Sequence, residues 1–196
     1  MTQPLILAST STYKKMLLDR LQLQFTCEPP NIDEKPLNSE SPSAMAQRLA
    51  EQKAIAVAKR FPEALVIGAD QVANLNGTIL SKPGNYQRAV EQLSAQSGQK
   101  LKFHSGICVV QIANNGKITK KTKLNTTEVV FRTLSQQQIE QYLKIDQPYD
   151  CAGSFKVEAL GISLFERIDS NDPSSLIGLP LIELCSILSE HGVQII

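Results

Sequence analysis

Short apolar runs alternate with longer amphipathic segments along this chain, a pattern typical of an α/β protein. The first run, residues 5–8, leads into a hydroxyl-rich turn at residues 9–12 and then into a segment with helical periodicity. This order predicts a strand, a turn and a helix. A second strand is predicted at residues 25–28, and a long polar loop follows it as far as residue 40.

Turn and cap signals divide the rest of the chain. Ser41 and Pro42 are the N-cap and first-turn residues of a predicted helix, and Asn76-Gly77 is a hairpin signal. Further helices are predicted over residues 86–96, 135–143 and 179–190, and strands over residues 78–80, 101–112, 118–131 and 162–168. The pattern contains no internal repeat, and it predicts one mixed α/β unit whose sheet includes antiparallel hairpins.

The apolar run at residues 64–69 is followed by a single carboxylate, Asp70. We expect the strand to end at Asp70, because a buried strand can aim its last residue rigidly at a ligand. The alternative is an ordinary polar residue at a strand-to-turn junction. This segment alone leaves both interpretations open.

Charge and composition exclude several classes of function. The 196 residues carry 20 basic and 19 acidic side chains, so there is no overall basic field of the kind that drives nucleic-acid or membrane-surface binding. No run is long and apolar enough to cross a membrane. We therefore expect a soluble cytoplasmic protein with neither nucleic acid nor membrane as a partner.

Cysteine and histidine are too few and too scattered for a zinc site or a Ser-His-Asp triad. His104 stands in an alternating apolar stretch, which favours a structural role. We expect the cysteines to be reduced core or near-core residues; they are Cys27, Cys108, Cys151 and Cys185.

The turn at residues 9–12 would present hydroxyls and free backbone N–H groups at a helix N-terminus, which attracts anions. Lys14 and Lys15 follow in the first helical turn. Cations are unfavourable there unless an anion is bound, so the two lysines indicate a phosphate site. The alternative is simple N-capping by Ser11 or Thr12 with solvated lysines.

The common nucleotide-binding loops are absent, since the chain has neither Gly-x-x-x-x-Gly-Lys-Ser/Thr nor Gly-x-Gly-x-x-Gly. The acidic candidates are Asp33, Glu34 and Asp70, with Glu158 and Glu166 further along the chain. One or two carboxylates together with substrate phosphates suit a magnesium ion. Lys53 and Lys82 could complete a basic wall, although a lysine on a helix face is more often only solvated.

An ordered set of short motifs resembles the Maf family and extends from residue 5 to about residue 183. No single motif is decisive, but the ordered set is highly specific. The motifs are Leu-Ile-Leu-Ala-Ser-Thr-Ser-Thr-Tyr-Lys-Lys from residue 5, Asp33-Glu34, Gln52-Lys53-Ala54, Ile67-Gly68-Ala69-Asp70-Gln71-Val72, Ser81-Lys82-Pro83, Ser105-Gly106 and Ala152-Gly153-Ser154-Phe155-Lys156.

This resemblance implies a nucleoside triphosphate pyrophosphatase. The family fold is an elongated α/β fold, similar to that of the inosine triphosphate pyrophosphatases, with a mixed sheet flanked by helices. The whole chain, residues 1–196, would be a single domain with two lobes around a central cleft. The substrate would be cut between its α and β phosphates in the presence of a divalent cation, magnesium or manganese.

Within the family, the chain looks closest to the branch that hydrolyses 7-methyl-GTP. Members acting on dTTP and UTP usually carry Arg, Thr and Gln where this chain has Tyr13, Gln71 and Glu158. The 7-methylguanine ring is positively charged, so an aromatic face and a carboxylate would complement it.

Two positions depart from that branch. Tyr13 stands where its members carry Trp, and Lys14-Lys15 stands where they carry Arg-Arg. Lysine keeps the charge but lacks the bidentate fork of arginine. We therefore expect weaker affinity for the triphosphate with the activity retained.

The resemblance also implies roles for individual residues. Asp70 would accept the proton of the attacking water or hold the metal, with the first role favoured, and Glu34 would help to hold the metal. Lysines would offset the charge of the triphosphate and of the leaving pyrophosphate. The implied substrate-binding residues are Ser9, Ser11, Lys14, Lys15, Lys53 and Lys82.

Two other functions stay open on the sequence alone. The chain could be a nucleotide-binding regulator of cell division with little turnover, or a pyrophosphatase for dTTP and UTP. A homodimer is possible in each case.

Overall fold

The computed structural model describes residues 3–196, which form five α-helices, seven strands and two 3₁₀ helices. This confirms the predicted mixed α/β class. In chain order the elements are β1 (Leu5–Leu7), α1 (Thr12–Asp19), β2 (Thr26–Cys27), α2 (Pro42–Ala58), β3 (Leu65–Leu75), β4 (Thr78–Leu80), α3 (Tyr86–Gln96), β5 (Lys100–Ile112), β6 (Ile118–Phe131), α4 (Gln136–Asp146), the 3₁₀ helix Leu160–Leu164, β7 (Phe165–Asp169), the 3₁₀ helix Pro173–Ile177 and α5 (Leu181–Glu190).

The seven strands form one mixed sheet in the order β2-β1-β3-β5-β6-β7, with β4 paired to β3. β1 is parallel to both β2 and β3, whereas the β3–β4 and β6–β7 pairs are antiparallel. No helix in residues 3–196 is long and apolar enough to span a membrane.

The described chain divides into two compact units, whose boundaries fall within β3, β5 and β6 and just after β7. The first unit contains the chain up to Gln71 together with Ser105–Asn125 and Asp172–Ile196, and the second contains Val72–His104 and Thr126–Asn171. The central cleft expected from the family resemblance stays a prediction.

In the first unit, alternate residues of β3 enter two different apolar clusters. Leu65 and Ile67 pack in one cluster with Leu17 of α1 and Leu184 of α5. Val66 packs in the other with Ala50 and further residues of α2. Because side chains alternate across a strand, even-numbered residues of β3 face α2 and odd-numbered residues face α1 and α5.

The second unit is built around four aromatic rings and the contact between α3 and α4. The rings meet edge to face, with centroids 4.8–5.7 Å apart, a favourable geometry for aromatic pairs. They belong to Phe103, Phe131, Phe155 and Phe165. His104, in the same unit, has Thr126 Oγ1 3.1 Å from its Nδ1, in agreement with a structural role.

The prediction that the strand ends at Asp70 is wrong. β3 continues to Leu75, because Ala73–Leu75 pair with β4 through the hairpin at Asn76-Gly77. Parallel pairing with β1 stops at Ile67. Asp70 therefore lies inside a long strand, after its partner β1 ends and before its partner β4 begins.

Two smaller expectations also need correction. The strand predicted at residues 162–168 is a 3₁₀ helix up to Leu164 and a strand only from Phe165. Gly161 lies so close to the backbone of Lys156 that a Cβ there would be 2.3 Å from the Lys156 carbonyl oxygen.

All four cysteines are free, but Cys27 is exposed rather than near the core, because it lies on the edge strand β2.

Candidate active site

The candidate site centres on Asp70, a buried residue that is 8% exposed. As an even-numbered residue of β3, it faces α2. Its Oδ1 lies 2.6 Å from Nζ of Lys53, which is also 8% exposed and belongs to α2. A buried carboxylate is thus matched by a buried ammonium, as burial of charge requires.

A second carboxylate reaches the same ammonium. Glu34 Oε1 lies 3.0 Å from Lys53 Nζ, and its side chain is half exposed. Glu34 comes from the loop between β2 and α2, so the two carboxylates arrive from different elements. The structure therefore brings together three predicted site residues around one point.

Burial raises the pKa of the Asp70 carboxyl, and the opposing attraction of Lys53 and Lys14 does not cancel that effect. For Lys53, burial lowers the pKa, but the carboxylates of Asp70 and Glu34 outweigh it and the pKa is raised. Lys53 therefore keeps its proton, while Asp70 binds a proton more readily than an exposed aspartate. An elevated carboxyl pKa suits a group that accepts a proton from water.

Two glycines allow α2 to approach the sheet closely enough for the Lys53–Asp70 contact. A Cβ on Gly68 of β3 would lie 2.1 Å from the Ala50 carbonyl oxygen and 2.6 Å from the Ala54 nitrogen. A Cβ on Gly106 of β5 would lie 2.4 Å from the Ala46 carbonyl oxygen. No role was predicted for either glycine, although glycines in buried strands opposite an alanine-rich helix are the signal of such a contact.

The hydroxyl turn forms at the N-terminus of α1, as predicted. Ser9 Oγ accepts a hydrogen bond from the Ser11 backbone nitrogen at 3.1 Å, and Ser11 Oγ caps the helix by accepting from the Lys14 nitrogen at 3.4 Å. Lys14 Nζ passes close to Gly178, since a Cβ there would be 3.4 Å from it. Lys15 is engaged differently, with its Nζ 2.9 Å from Asp19 Oδ2.

Gln71 faces the opposite side of β3 from Asp70. Its Nε2 lies 2.8 Å from the Ser175 carbonyl oxygen, 3.0 Å from the Leu176 carbonyl oxygen and 3.2 Å from Ser105 Oγ. Ser105 Oγ itself donates to the Ser175 carbonyl at 2.7 Å, and Ser175 Oγ donates to Asn125 Oδ1 at 2.8 Å. The Gln71 amide is thus bonded to the backbone of the 3₁₀ helix Pro173–Ile177.

The other predicted residues belong to other parts of the chain. Tyr13 is half-buried on α1. Lys82 and Glu158 are exposed residues of the second unit. Their parts in substrate binding and selectivity stay predictions, as does that of Lys15.

The donor set around Lys53 fits a hard divalent cation only with help from a substrate. Within residues 3–196, no group of three or more His, Cys, Asp or Glu side chains could hold a metal. Asp70 and Glu34 supply two carboxylates, and both contact the Lys53 ammonium. Magnesium commonly takes one or two carboxylates and completes its shell with waters and phosphate oxygens, so the pair fits an ion that binds together with a triphosphate.

The chain is similar to several known proteins. A protein of Xanthomonas axonopodis pv. citri named 7-methyl-GTP pyrophosphatase is 51% identical over 97% of this chain and 98% of its own. One from Polaromonas sp. with the same name is 48% identical over 99% of this chain and 87% of its own. A solved HAM1 protein from Coxiella burnetii is 12% identical, with a TM-score of 0.48 over 96% of this chain and 100% of its own.

The family model described as Maf-like protein matches residues 4–191. That range contains Glu34, Lys53, Asp70 and both close-packed glycines. The chain belongs to the Maf family.

Proposed function

We propose that this protein hydrolyses 7-methyl-GTP to 7-methyl-GMP and diphosphate, and so removes modified nucleotides from the nucleotide pool. The observation that carries the proposal is the buried Asp70 carboxylate, held 2.6 Å from Lys53 beside Glu34. The names of the Xanthomonas and Polaromonas relatives support the choice of substrate.

In the proposed reaction, Asp70 accepts a proton from water as the water oxygen bonds to phosphorus. The bond between the α-phosphorus and the bridging oxygen breaks, and pyrophosphate leaves with the bonding electrons. Lys53 holds the Asp70 carboxylate in place through the 2.6 Å contact. Lys14, Lys15 and Lys82 would offset the negative charge of the triphosphate and of the leaving group.

A divalent cation, magnesium or manganese, would be held by Glu34 and Asp70 and would stabilise charge on the phosphate oxygens. In the alternative role, Asp70 is chiefly a ligand of that cation. The hydroxyls and backbone donors of Ser9 and Ser11, at the positive end of α1, would position phosphate oxygens.

Selectivity for the base would depend on Tyr13, Gln71 and Glu158. The Tyr13 ring could stack on the positively charged 7-methylguanine, and Glu158 could accept hydrogen bonds from its Watson-Crick edge. The contacts of Gln71 with Ser175 and Leu176 support an indirect part for Gln71, through the shape of the 3₁₀ helix. As parts of the same proposal, we assign the protein to the cytoplasm and allow for a homodimer.

The test is turnover of a panel of nucleoside triphosphates by the purified protein with magnesium, with monophosphate and pyrophosphate both quantified. We expect 7-methyl-GTP to be preferred over GTP, dTTP and UTP. A preference for dTTP and UTP would reassign the substrate. Tight binding of a nucleotide without turnover of any member of the panel would support the regulatory function instead.

Asp70→Asn tests the central residue, because asparagine keeps the size and removes the carboxylate. We expect turnover to fall by about a hundredfold or more, the usual contribution of a general base, while the protein stays folded by circular dichroism. Glu91→Gln, at an exposed position of α3, is the matched control. Near-normal turnover by Asp70→Asn would exclude the proposed role.

A further inference from the structure

Glu34 lies in a loop that has little regular structure of its own. Residues 28–40, all of which the structure describes, contain no helix or strand. Such a segment gives up much conformational entropy when it is fixed in one shape. The position of the Glu34 carboxylate beside Lys53 therefore requires contacts that order the loop.

Arg48 of α2 provides these contacts at the end of the loop. Its Nε and Nη2 donate to the two carboxylate oxygens of Glu40 at 2.6 and 2.7 Å. Nη2 also donates to the Lys35 carbonyl oxygen at 3.1 Å, and Nη1 donates to Gln52 Oε1 at 3.0 Å. One guanidinium thus joins the loop residue next to Glu34, the loop end and the helix residue next to Lys53.

Only arginine can make this set of bonds. The two bonds to Glu40 use the planar fork that matches a carboxylate, and a lysine ammonium is a single point of charge. The beginning of the loop is held by another arginine, since Arg60 Nη2 donates to the Pro29 carbonyl oxygen at 2.6 Å. Arg60 binds the loop five residues before Glu34, at Pro29. Arg48 binds the carbonyl of Lys35, the residue immediately after Glu34.

We propose that Arg48 is a positioning residue that holds the Glu34 carboxylate against Lys53 by binding the Lys35 carbonyl and Glu40. This inference rests on the proposed function for its activity readout. Its structural content is independent of the substrate: without the guanidinium, the loop loses its fixed shape and Glu34 no longer reaches the Lys53 ammonium beside Asp70.

The first test measures the loop and the cation site directly, in Arg48→Lys, Arg48→Ala and the control Arg88→Lys, an exposed arginine of α3. Hydrogen–deuterium exchange of peptides covering residues 30–40 should become faster in both Arg48 variants and stay unchanged in the control. Mn²⁺ affinity, measured by electron paramagnetic resonance with a 7-methyl-GTP analogue that has a methylene in the α,β bridge, should weaken about tenfold or more, as for other residues that orient metal ligands. Unchanged exchange and Mn²⁺ affinity would overturn the proposal.

The second test asks whether Arg48 acts through Glu34. In a double-mutant cycle, Arg48→Ala should weaken Mn²⁺ binding strongly in the wild-type background and by less than about twofold when Glu34→Gln is already present, because residues that act on one interaction are not additive. Equal losses in both backgrounds would show that Arg48 acts elsewhere.

The two proposals fail in distinguishable ways. If the protein hydrolyses no nucleoside triphosphate, the proposed function fails, while hydrogen–deuterium exchange, which needs no nucleotide, still decides the role of Arg48. If it hydrolyses 7-methyl-GTP and the Arg48 variants match the wild type in exchange and Mn²⁺ affinity, only the positioning role fails.

Discussion

Asp70 and Gln71 are neighbours on β3, yet their side chains enter opposite and very different surroundings. The charged face, formed by Asp70, Lys53 and Glu34, places three ionised groups around one point. The neutral face, formed by Gln71, Ser105 and Ser175, consists of an amide, hydroxyls and backbone carbonyls. One strand thus supports two kinds of polar cluster because its side chains alternate.

The charged face carries ionisable groups suited to catalysis, whereas the neutral face positions a 3₁₀ helix. On the charged face, burial raises the pKa of Asp70 against the attraction of Lys53, and the carboxylates of Asp70 and Glu34 raise the pKa of Lys53. On the neutral face, no group needs to change its charge, and the hydrogen bonds fix the position of the 3₁₀ helix Pro173–Ile177. We therefore expect changes on the charged face to alter rate and pH dependence, and changes on the neutral face to alter selectivity.

The largest effect on stability is expected from Lys53→Met, which leaves the buried Asp70 without its cation. Removing one partner of a buried ion pair typically costs about 3–5 kcal/mol. The loss should be greatest at pH 8 and smaller at pH 5. Urea unfolding of the variant and of Lys144→Met, an exposed control on α4, at both pH values measures it.

The pH dependence follows from the raised pKa of Asp70. Removing Lys53 removes an attraction that lowers this pKa, so it rises further. In the window between the unfolded value, about 3.9, and the folded pKa, the folded protein binds more protons than the unfolded chain. Stability therefore falls as the pH rises through that window. A loss from Lys53→Met that is equal at pH 5 and pH 8 would contradict this account.

The next effect is expected from Gly68→Ala, which forces α2 away from β3. Overpacking of this kind usually costs about 1–3 kcal/mol, and we expect the upper end because the added Cβ meets backbone atoms at 2.1 and 2.6 Å. Gly106→Ala is the matched comparison, with its clash at Ala46 rather than beside Lys53. Both variants should lose stability in urea, but Gly68→Ala should lose more turnover. Equal turnover in the two variants would show that the contact at Gly68 does not affect the charged face.

A smaller effect is expected from Gln71→Thr on the neutral face. Threonine cannot reach both the Ser175 and Leu176 carbonyls. The Ser175 carbonyl keeps its hydrogen bond from Ser105, but the Leu176 carbonyl loses the one from Gln71, and such a loss at a buried acceptor costs about 1–3 kcal/mol. The ranking of 7-methyl-GTP against dTTP and UTP should also shift, and more so when Glu158→Gln is added. Competition assays with paired substrates measure the ranking. An unchanged ranking would place selectivity in other residues.

The smallest effect is expected from Ser105→Ala. The Ser175 carbonyl loses the hydrogen bond from Ser105 but keeps the one from Gln71, so the loss should be about 1 kcal/mol. Thermal unfolding measures it, with substrate ranking as a second readout. A loss as large as that of Gln71→Thr would mean that the hydroxyl holds the 3₁₀ helix as strongly as the amide does.

Local signals in the sequence predicted much of the fold. Ser41 caps α2 as predicted, and Gly77 has the positive φ of 92° that the Asn-Gly hairpin requires. The motifs shared with the Maf family identified Glu34, Lys53 and Asp70 before the structure brought them together. Each of these signals is contained in a few neighbouring residues.

Long-range contacts could not be predicted in the same way. The contact of Gln71 with Ser175 spans 104 residues, and nothing in the local sequence of either residue indicates it. β3 continues beyond Asp70 where Ala73–Leu75 pair with β4. These residues lie after the apolar run at residues 64–69, so that run did not predict the continuation. The apolar stretch from residue 162 resembled a strand because short apolar runs do not distinguish strands from other buried segments.

The two faces of β3 also differ in how far along the chain their partners lie. Lys53 and Asp70 are separated by 17 residues, whereas Gln71 and Ser175 are separated by 104. Contacts between nearby residues close smaller loops and have a lower entropic cost of closure. During synthesis the ionised groups can therefore meet while the chain is still growing, but the hydrogen bonds that fix the 3₁₀ helix must wait until the last quarter of the protein has been made.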